Sequence, residues 1–359
     1  MKPADRATRL GLRALNEFAG SQVVDRIGLR KPAERLLHRA ARGSARTAAA
    51  AGRRFRAVRR LSAPARLATV KRGDLFDLDP TDEQRLLAES LRDFARERIR
   101  PAALAADAAC AAPAELLAEL EQLGIGMLGV PEELGGVVGE RSSVTTVLAA
   151  EALAHGDAGI AVAALAPHAV STAIALWGTA EQQARYLHEF TGERPPAAAL
   201  ALLEPRALFD PFKLEASARR ADGGYIVSAT KSLVPRAAEA ELFVVAAELA
   251  DSGPALFLVE PGIDGVFTEP EPAMGLRAAA TGRLVLRDAL LPAGALLGGG
   301  ERAAYAECVH RARLGWCALA LGAAQAVLDY VVPYVKEHPV ERWYRDLRAV
   351  GLMEGALLV

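Results

Sequence analysis

The hydrophobic period of this chain changes twice, and that pattern limits the folds open to it. Up to about Arg194 apolar residues recur at helical spacing, from Ala197 they fall into short runs of strand character, and beyond Gly300 helical spacing returns. In DPTDEQRLLAESLRDFARERIRP, Thr81 and Gln84 form a capping-box signal after Pro80. Leu86, Leu87, Leu91 and Phe94 mark one face of a helix predicted to end before Pro101. Leu116, Leu117, Leu120 and Leu123 predict a second helix over 113–124, and 141–156 and 167–177 read the same way. Next, LEASARRA and YIVSATK flank the turn Asp222–Gly223–Gly224 as a hairpin, with ELFVVAAEL, PALFLVE and GRLVLRDALL following at short intervals. Helix resumes in RARLGWCALALGAAQAVLDYVVPYVKE, which Pro333 should end or kink. Helix, then strand, then helix is not a βαβ alternation, which argues against a Rossmann-type parallel sheet.

Charge separates the N-terminal part from the rest. The net charge of −1 conceals nineteen Lys and Arg against four Asp and Glu up to Arg72, a balance of +15 that leaves −16 for the remainder. Leu10, Leu12, Leu15, Phe18, Val23, Val24 and Ile27 sit among those arginines at roughly helical spacing. A basic amphipathic segment of this kind can lie on an anionic membrane surface, dock on a partner, or be a solvated extension. Nucleic acid is not expected, since there is no aromatic interleaving and no binding motif. Arg-rich and almost acid-free, the segment also matches an organelle transit peptide, but its helical patterning favours a bacterial cytoplasmic location, peripheral to the membrane at most. No apolar run approaches the ~20 residues that span a bilayer. Cys110, Cys308 and Cys317 are odd in number and lack C-x-x-C spacing, which argues against a disulfide framework or a zinc site.

Local motifs of common enzyme classes are missing: no G-x-G-x-x-G, P-loop, H-E-x-x-H or G-x-S-x-G occurs. Gly298–Gly299–Gly300 reads as a turn and not a phosphate cradle. His155 and His168 read as helix-packing or capping residues. Seven short stretches nevertheless follow one another in a meaningful order: PEELGG (131–136), GTAEQQARYL (178–187), LLEPRALFD (202–210), DGGYIVSATK (222–231), MGLRAAATGRLVL (274–286), LLP (290–292) and HPVERWYRDLRAVGLMEG (338–355). Together they resemble the acyl-CoA dehydrogenases over about residues 77–359. The resemblance implies an α+β fold with a helical N-terminal domain, a middle antiparallel β domain and a truncated C-terminal helical domain. Its expected divisions are a basic helical extension over 1–76, a helical domain over 77–196, a β domain over 197–300 and an incomplete helical domain over 301–359.

The resemblance also implies FAD as cofactor, an acyl-CoA thioester as substrate and the trans-2-enoyl-CoA as product. Flavin N5 takes the Cβ hydride, because no side chain can. A carboxylate raised in pKa by a desolvated pocket takes the Cα proton. By the motif that carboxylate is Glu354, which precedes Gly355 and follows Arg345–Asp346. Leu202, Leu203, Glu204 and Asp210 stand in the family's flavin-contacting stretch, usually T-E-P-x-A-G-S-D. This chain departs from it at Leu203, where a hydroxyl residue is usual, and at Leu208 and Phe209. Leu233 and Val234, in SLVPRA (232–237), stand where the family has Trp-Ile-Thr or similar, and Arg313 matches an arginine close to the CoA moiety. Expected partners are an electron-transfer flavoprotein or similar acceptor and further copies of the chain.

One junction disagrees with the family. YVKE runs directly into HPVER, where an Arg-x-x-Phe-Gly segment, two long helices and a Gly-rich loop are expected between them. The 59 residues from Glu301 fall short of the roughly 100 that bury a core of their own. An internal deletion at Glu337–His338 is therefore implied, and it leaves two readings open. The chain is a dehydrogenase with an impaired C-terminal domain, or it is a non-catalytic homologue that binds an acyl-CoA or a partner.

Overall fold

A computed structural model of the chain describes residues 79–136, 143–192, 194–271 and 273–337, all within the compact unit Leu78–Val359. The basic segment 1–72, the junction after Glu337, and both Glu354 and Gly355 lie outside the described residues.

Two capping boxes start the helical part where the sequence places them. Thr81 Oγ1 accepts from Gln84 N–H while the Gln84 side chain accepts from Thr81 N–H, opening α1 (Asp82–Phe94). Thr179 and Gln182 do the same for α6 (Ala180–Phe190). Between them run α2 (Arg100–Ala109), α3 (Ala114–Gln122), α4 (Ser143–Gly156) and α5 (Ala158–Trp177).

Three helix boundaries differ from expectation. The chain does not stop before Pro101: a π-helical turn, Ala95–Ile99, joins α1 to α2 and sets Pro101 in the first turn of α2, where a missing N–H costs least. α5 begins at Ala158, well before 167, because Asp157 caps it by accepting from Ile160 N–H at 2.8 Å. Its first half is alanine-rich and buried on all sides, so it shows no amphipathic period. α7 (Arg302–Glu337) passes through Pro333, which lies in its last turns. Among the described residues two helices, α5 and the Arg302–Val335 stretch of α7, are long and apolar enough to cross a membrane by length and composition. His168, Ser171 and Thr172 interrupt α5, which hides this from a search for unbroken apolar runs. Most of α5 is buried inside the protein.

Among the described residues seven strands form one sheet: β1 (Ala198–Ala201), β2 (Ser217–Ala221), β3 (Gly224–Val234), β4 (Leu242–Leu249), β5 (Gly253–Val259), β6 (Val266–Pro270) and β7 (Gly282–Pro292). The order is β1-β4-β2-β3-β7-β6, with β5 on β4. The β2–β3, β3–β7, β4–β5 and β6–β7 ladders are antiparallel, as the hairpin pattern predicts. β4 adds short parallel ladders to β1 and β2, a non-local pairing that turn signals do not encode. One face of the sheet buries Val227, Phe243, Val245, Phe257 and Leu291. The other face packs Val244, Ala246 and Leu258 against α5, α6 and the start of α7.

α7 lies along α4, and the contact is close. A Cβ at Gly322 would stand 2.1 Å from the Glu151 carbonyl oxygen, so backbone meets backbone there. Beside it His155 Nε2 lies 2.8 Å from Asp329 Oδ2, and Arg311 donates to Ser143 Oγ at 3.0 Å. The glycine run before α7 is a turn that only glycine makes easily: Gly298, Gly299 and Gly300 all have positive φ. A Cβ on Gly298 would meet the Trp177 carbonyl oxygen at 2.3 Å.

Inside α5, burial holds the His168 imidazole neutral, lowering its pKa from 6.5 to about 4. In the unfolded chain the same ring takes a proton below about pH 6.5. The unfolded state therefore binds more protons between pH 6.5 and 4, and stability falls as pH drops through that window, by up to about 3 kcal/mol. Urea titrations at pH 7 and pH 4.5 should show the loss in the wild type and a smaller loss in His168→Leu.

Candidate functional site

Most of the expected cofactor residues meet at one end of the sheet's strands, where the loop leaving β1 touches the end of β3. Inward-facing positions of β3 alternate as Tyr225, Val227, Ala229 and then Lys231. A lysine at that phase needs an anion, because an unpaired buried ammonium is costly. Glu204 supplies it: Lys231 Nζ donates to Glu204 Oε1 at 3.0 Å and to the Leu202 carbonyl at 3.3 Å. Both side chains are buried, 0% and 2% exposed. Glu204 also accepts from the N–H groups of Glu215 and Ala216, each at 2.9 Å. Burial works to raise the Glu204 pKa, but the two amide bonds and Lys231 outweigh it and the net shift is downward. Burial likewise lowers the Lys231 pKa to about 8, with Glu204 opposing the shift.

One residue further on, Ser232 N–H donates to the Leu203 carbonyl at 2.9 Å, joining the two segments side by side. The strand end is also held from the other side. Glu271 accepts from Leu233 N–H at 2.8 Å, Ser232 Oγ at 3.0 Å and Arg283 at 2.7 Å. Those bonds hold Leu233 at φ 52° with its side chain 41% exposed. Beyond it, Val234 is buried in the sheet core and Pro235 offers no N–H.

The loop then reaches α7. Asp210 Oδ1 accepts from Phe212 N–H at 3.0 Å and turns the chain. Phe212 lies edge-on to Tyr305, with ring centroids 6.0 Å apart. The Arg313 guanidinium sits 6.0 Å from the centre of the same ring, a cation–π contact. Tyr305 Oη donates to the Pro211 carbonyl. Arg206 covers Phe209 at 5.3 Å.

Leu202, Leu203, Glu204 and Leu233 are thus brought together, while Asp210 and Arg313 are linked through Phe212, one at its N–H and the other over its ring. The side chains of two of them have partners within the protein. The Glu204 carboxylate is committed to Lys231 and two amides, and the Val234 side chain is core. Glu354 and Gly355 lie outside the described residues. Lys231, Ser232, Glu271 and Phe212 were not singled out from sequence, although the inward phase of Lys231 on β3 was a readable signal. A groove of about 620 Å³ opens beside the Glu204–Lys231 pair, over β3 and β7, where Glu204, Glu215, Ser228, Thr230, Arg283 and Arg287 line it. Among the described residues, no other expected site residue lines it.

Comparison with known proteins identifies the family of the fold. Residues 81–193 match the N-terminal domain model of the acyl-CoA dehydrogenases, and residues 199–289 match the middle domain model. Benzylmalonyl-CoA dehydrogenase of Aromatoleum aromaticum is 32% identical over 270 residues, 73% of this chain and 70% of that protein. The chain belongs to the acyl-CoA dehydrogenase family. Within this family it is also 30% identical, over 265 residues, to the short/branched chain specific acyl-CoA dehydrogenase of Bos taurus mitochondria. That match covers 72% of the chain and spans only 60% of the bovine protein. A glutaryl-CoA dehydrogenase of Mycobacterium smegmatis, solved in complex with FADH2, superimposes with a TM-score of 0.64 at 26% identity, covering 74% of this chain and 68% of that one.

Two outcomes test the site's construction. Glu204→Gln leaves a buried lysine without its counter-charge and should cost about 3–5 kcal/mol in urea unfolding. Glu204→Gln combined with Lys231→Met should recover much of that loss. Leu208 sits at φ 56°, fully exposed, where the family motif has glycine. Leu208→Gly should therefore hold or raise the unfolding free energy read from urea titration, by up to about 1 kcal/mol, as the left-handed strain of ~1–2 kcal/mol is traded for unfolded-chain entropy.

Proposed function

We propose that the chain is an FAD-dependent acyl-CoA dehydrogenase that converts an acyl-CoA thioester to its trans-2-enoyl-CoA. The observation that carries this reading is the Glu204–Lys231 staple, which sets Leu203 and Leu233 side by side in a fold of this family. The surface fits a flat apolar ring: Leu233 turns an aliphatic face outward, and Leu203 lies next to it. Its donors differ from the family pattern. Leu203 and Pro235 carry no hydroxyl, while Ser232 Oγ and Leu233 N–H are held by Glu271. The polar edge of a flavin would therefore rest on main-chain groups of the Leu202–Leu203 loop. FAD, when bound there, supplies the hydride acceptor that no side chain offers.

The chain's own residues do the rest. Glu354 is the carboxylate that takes the Cα proton, in the motif Arg345–Asp346 to Glu354–Gly355. Arg313, held over Phe212, is a fixed cation for a carbonyl or phosphate oxygen of the thioester. Electrons leave to an electron-transfer flavoprotein or similar acceptor, as the family resemblance implies. The reading places the protein in the cytoplasm, with the +15 charge of residues 1–72 supporting a peripheral contact with anionic lipid.

The second reading, a non-catalytic binding homologue, draws on the same strand end. A proline at 235 and a leucine at 203 remove side-chain donors, and the YVKE–HPVER junction separates Glu354 from its usual context.

A visible spectrum of the purified protein, taken before and after adding octanoyl- or palmitoyl-CoA, distinguishes the two. The enzyme reading expects a flavin band that bleaches on addition, and in Glu354→Gln the band stays while the bleaching is lost. A protein that remains colourless after reconstitution with FAD sinks the enzyme reading.

A further inference from the structure

Phe212 is an exposed aromatic ring on a rigid mount. It is 42% exposed, yet the backbone on both sides of it is pinned. The Pro211 carbonyl accepts from Tyr305 Oη, and the Lys213 carbonyl accepts from Arg206. Asp210 closes the turn: its carboxylate accepts from Phe212 N–H, and its carbonyl accepts from Lys213 N–H and Arg206. The buried Tyr305 ring supports Phe212 edge-on. From α7 the Arg313 guanidinium comes within 6.0 Å of the Phe212 ring centre, and the His310 ring within 6.4 Å. Three residues apart, His310 and Arg313 lie on one face of α7, and both are exposed.

The carboxylates around this ring are already used. Asp210 serves the Phe212 N–H and lies 4.0 Å from Lys213, Glu215 faces Arg206 at 3.5 Å, and Glu307 holds Arg311 at 2.7 Å. Among the described residues no carboxylate pairs with Arg313 or His310.

We propose that Phe212, His310 and Arg313 form a subsite for the adenosine phosphate end of a nucleotide ligand. The inference rests on the acyl-CoA reading above, in which two molecules carry that group, coenzyme A and FAD. An aromatic face takes a purine by stacking, and a ring fixed beforehand loses little freedom when it does so. A guanidinium beside that ring meets phosphate oxygens with a planar fork of donors, and the imidazole adds an N–H. An acyl tail has no use for the two nitrogenous groups, and a bare phosphate has none for the ring. Arg206 and Tyr305 are positioning residues, since they hold the carbonyls on either side of Phe212 and not the ligand.

Equilibrium binding to the full chain tests the subsite, with urea unfolding as the check that each variant is folded. Octanoyl-CoA is compared with octanoyl-pantetheine, which lacks the nucleotide, and FAD with FMN, which lacks the adenylate half. Phe212→Leu should weaken octanoyl-CoA or FAD by about tenfold and leave its nucleotide-free counterpart unchanged. Phe212→Tyr, which keeps the aromatic face, should bind like the wild type. Whichever ligand loses affinity identifies the source of the adenosine. His310→Gln with Arg313→Gln, at two exposed positions, should weaken that same ligand, and more so at low salt than at high. If Phe212→Leu does not fold, this surface pair decides by the same comparison. Equal losses for a nucleotide ligand and its counterpart, or no loss for any ligand, overturn the inference alone. A wild type that binds none of the four overturns the acyl-CoA reading and the inference with it.

Discussion

A buried ion pair organises the candidate site at the end of the sheet. Lys231 and Glu204 are both out of water, and removing two charges from water costs several kcal/mol per ion before any attraction is counted. The cost is offset only because every strong valence is used: the carboxylate takes two backbone amides as well as the ammonium, and the ammonium also takes the Leu202 carbonyl. What the pair provides is register. It fixes the loop after β1 against the last turn of β3, and through the amides of Glu215 and Ala216 it closes that loop on itself. Phe212, inside the closed loop, then has one place to go, between Tyr305 and Arg313 on α7. Sheet, loop and C-terminal helix therefore share one anchor.

Much of the architecture was legible because it is written in local periodicity. Thr81–Gln84 opened its helix as a capping box, and Asp222–Gly223–Gly224 closed a hairpin. Features that rest on tertiary context were not legible. The first half of α5 lacks an amphipathic period because every side of it is covered. Pro101 and Pro333 read as helix stops, yet a π-helical turn absorbs the first, and the second lies in the last turns of its helix. The parallel ladder of β1 with β4 joins residues more than forty apart.

The site divides in the same way. Motif order pointed to Leu202–Glu204 and to Leu233–Val234, and the structure places Leu202, Leu203, Glu204 and Leu233 together. Motif matching does not reveal which atoms face outward: the Glu204 side chain is an internal counter-ion and the Val234 side chain is core. Glu271 illustrates the other difficulty. It lies in a proline-flanked loop 38 residues from Leu233 and acts through its carboxylate on that residue's amide, a contact with no sequence signature. Its three bonds account for donors at the strand end, which leaves main-chain groups and aliphatic surface exposed beside it.

The close approach of Gly322 to Glu151 bears on how this helix can change over time. Where two backbones touch, the geometry of the joint no longer depends on side chains, and α4 and α7 keep their crossing whatever faces outward from α7. Substitutions on the outer side can then accumulate, and companions of α7 can be lost or exchanged, without disturbing the attachment of α7 to the rest of the fold. The hinge point of such drift is a position with no side chain at all.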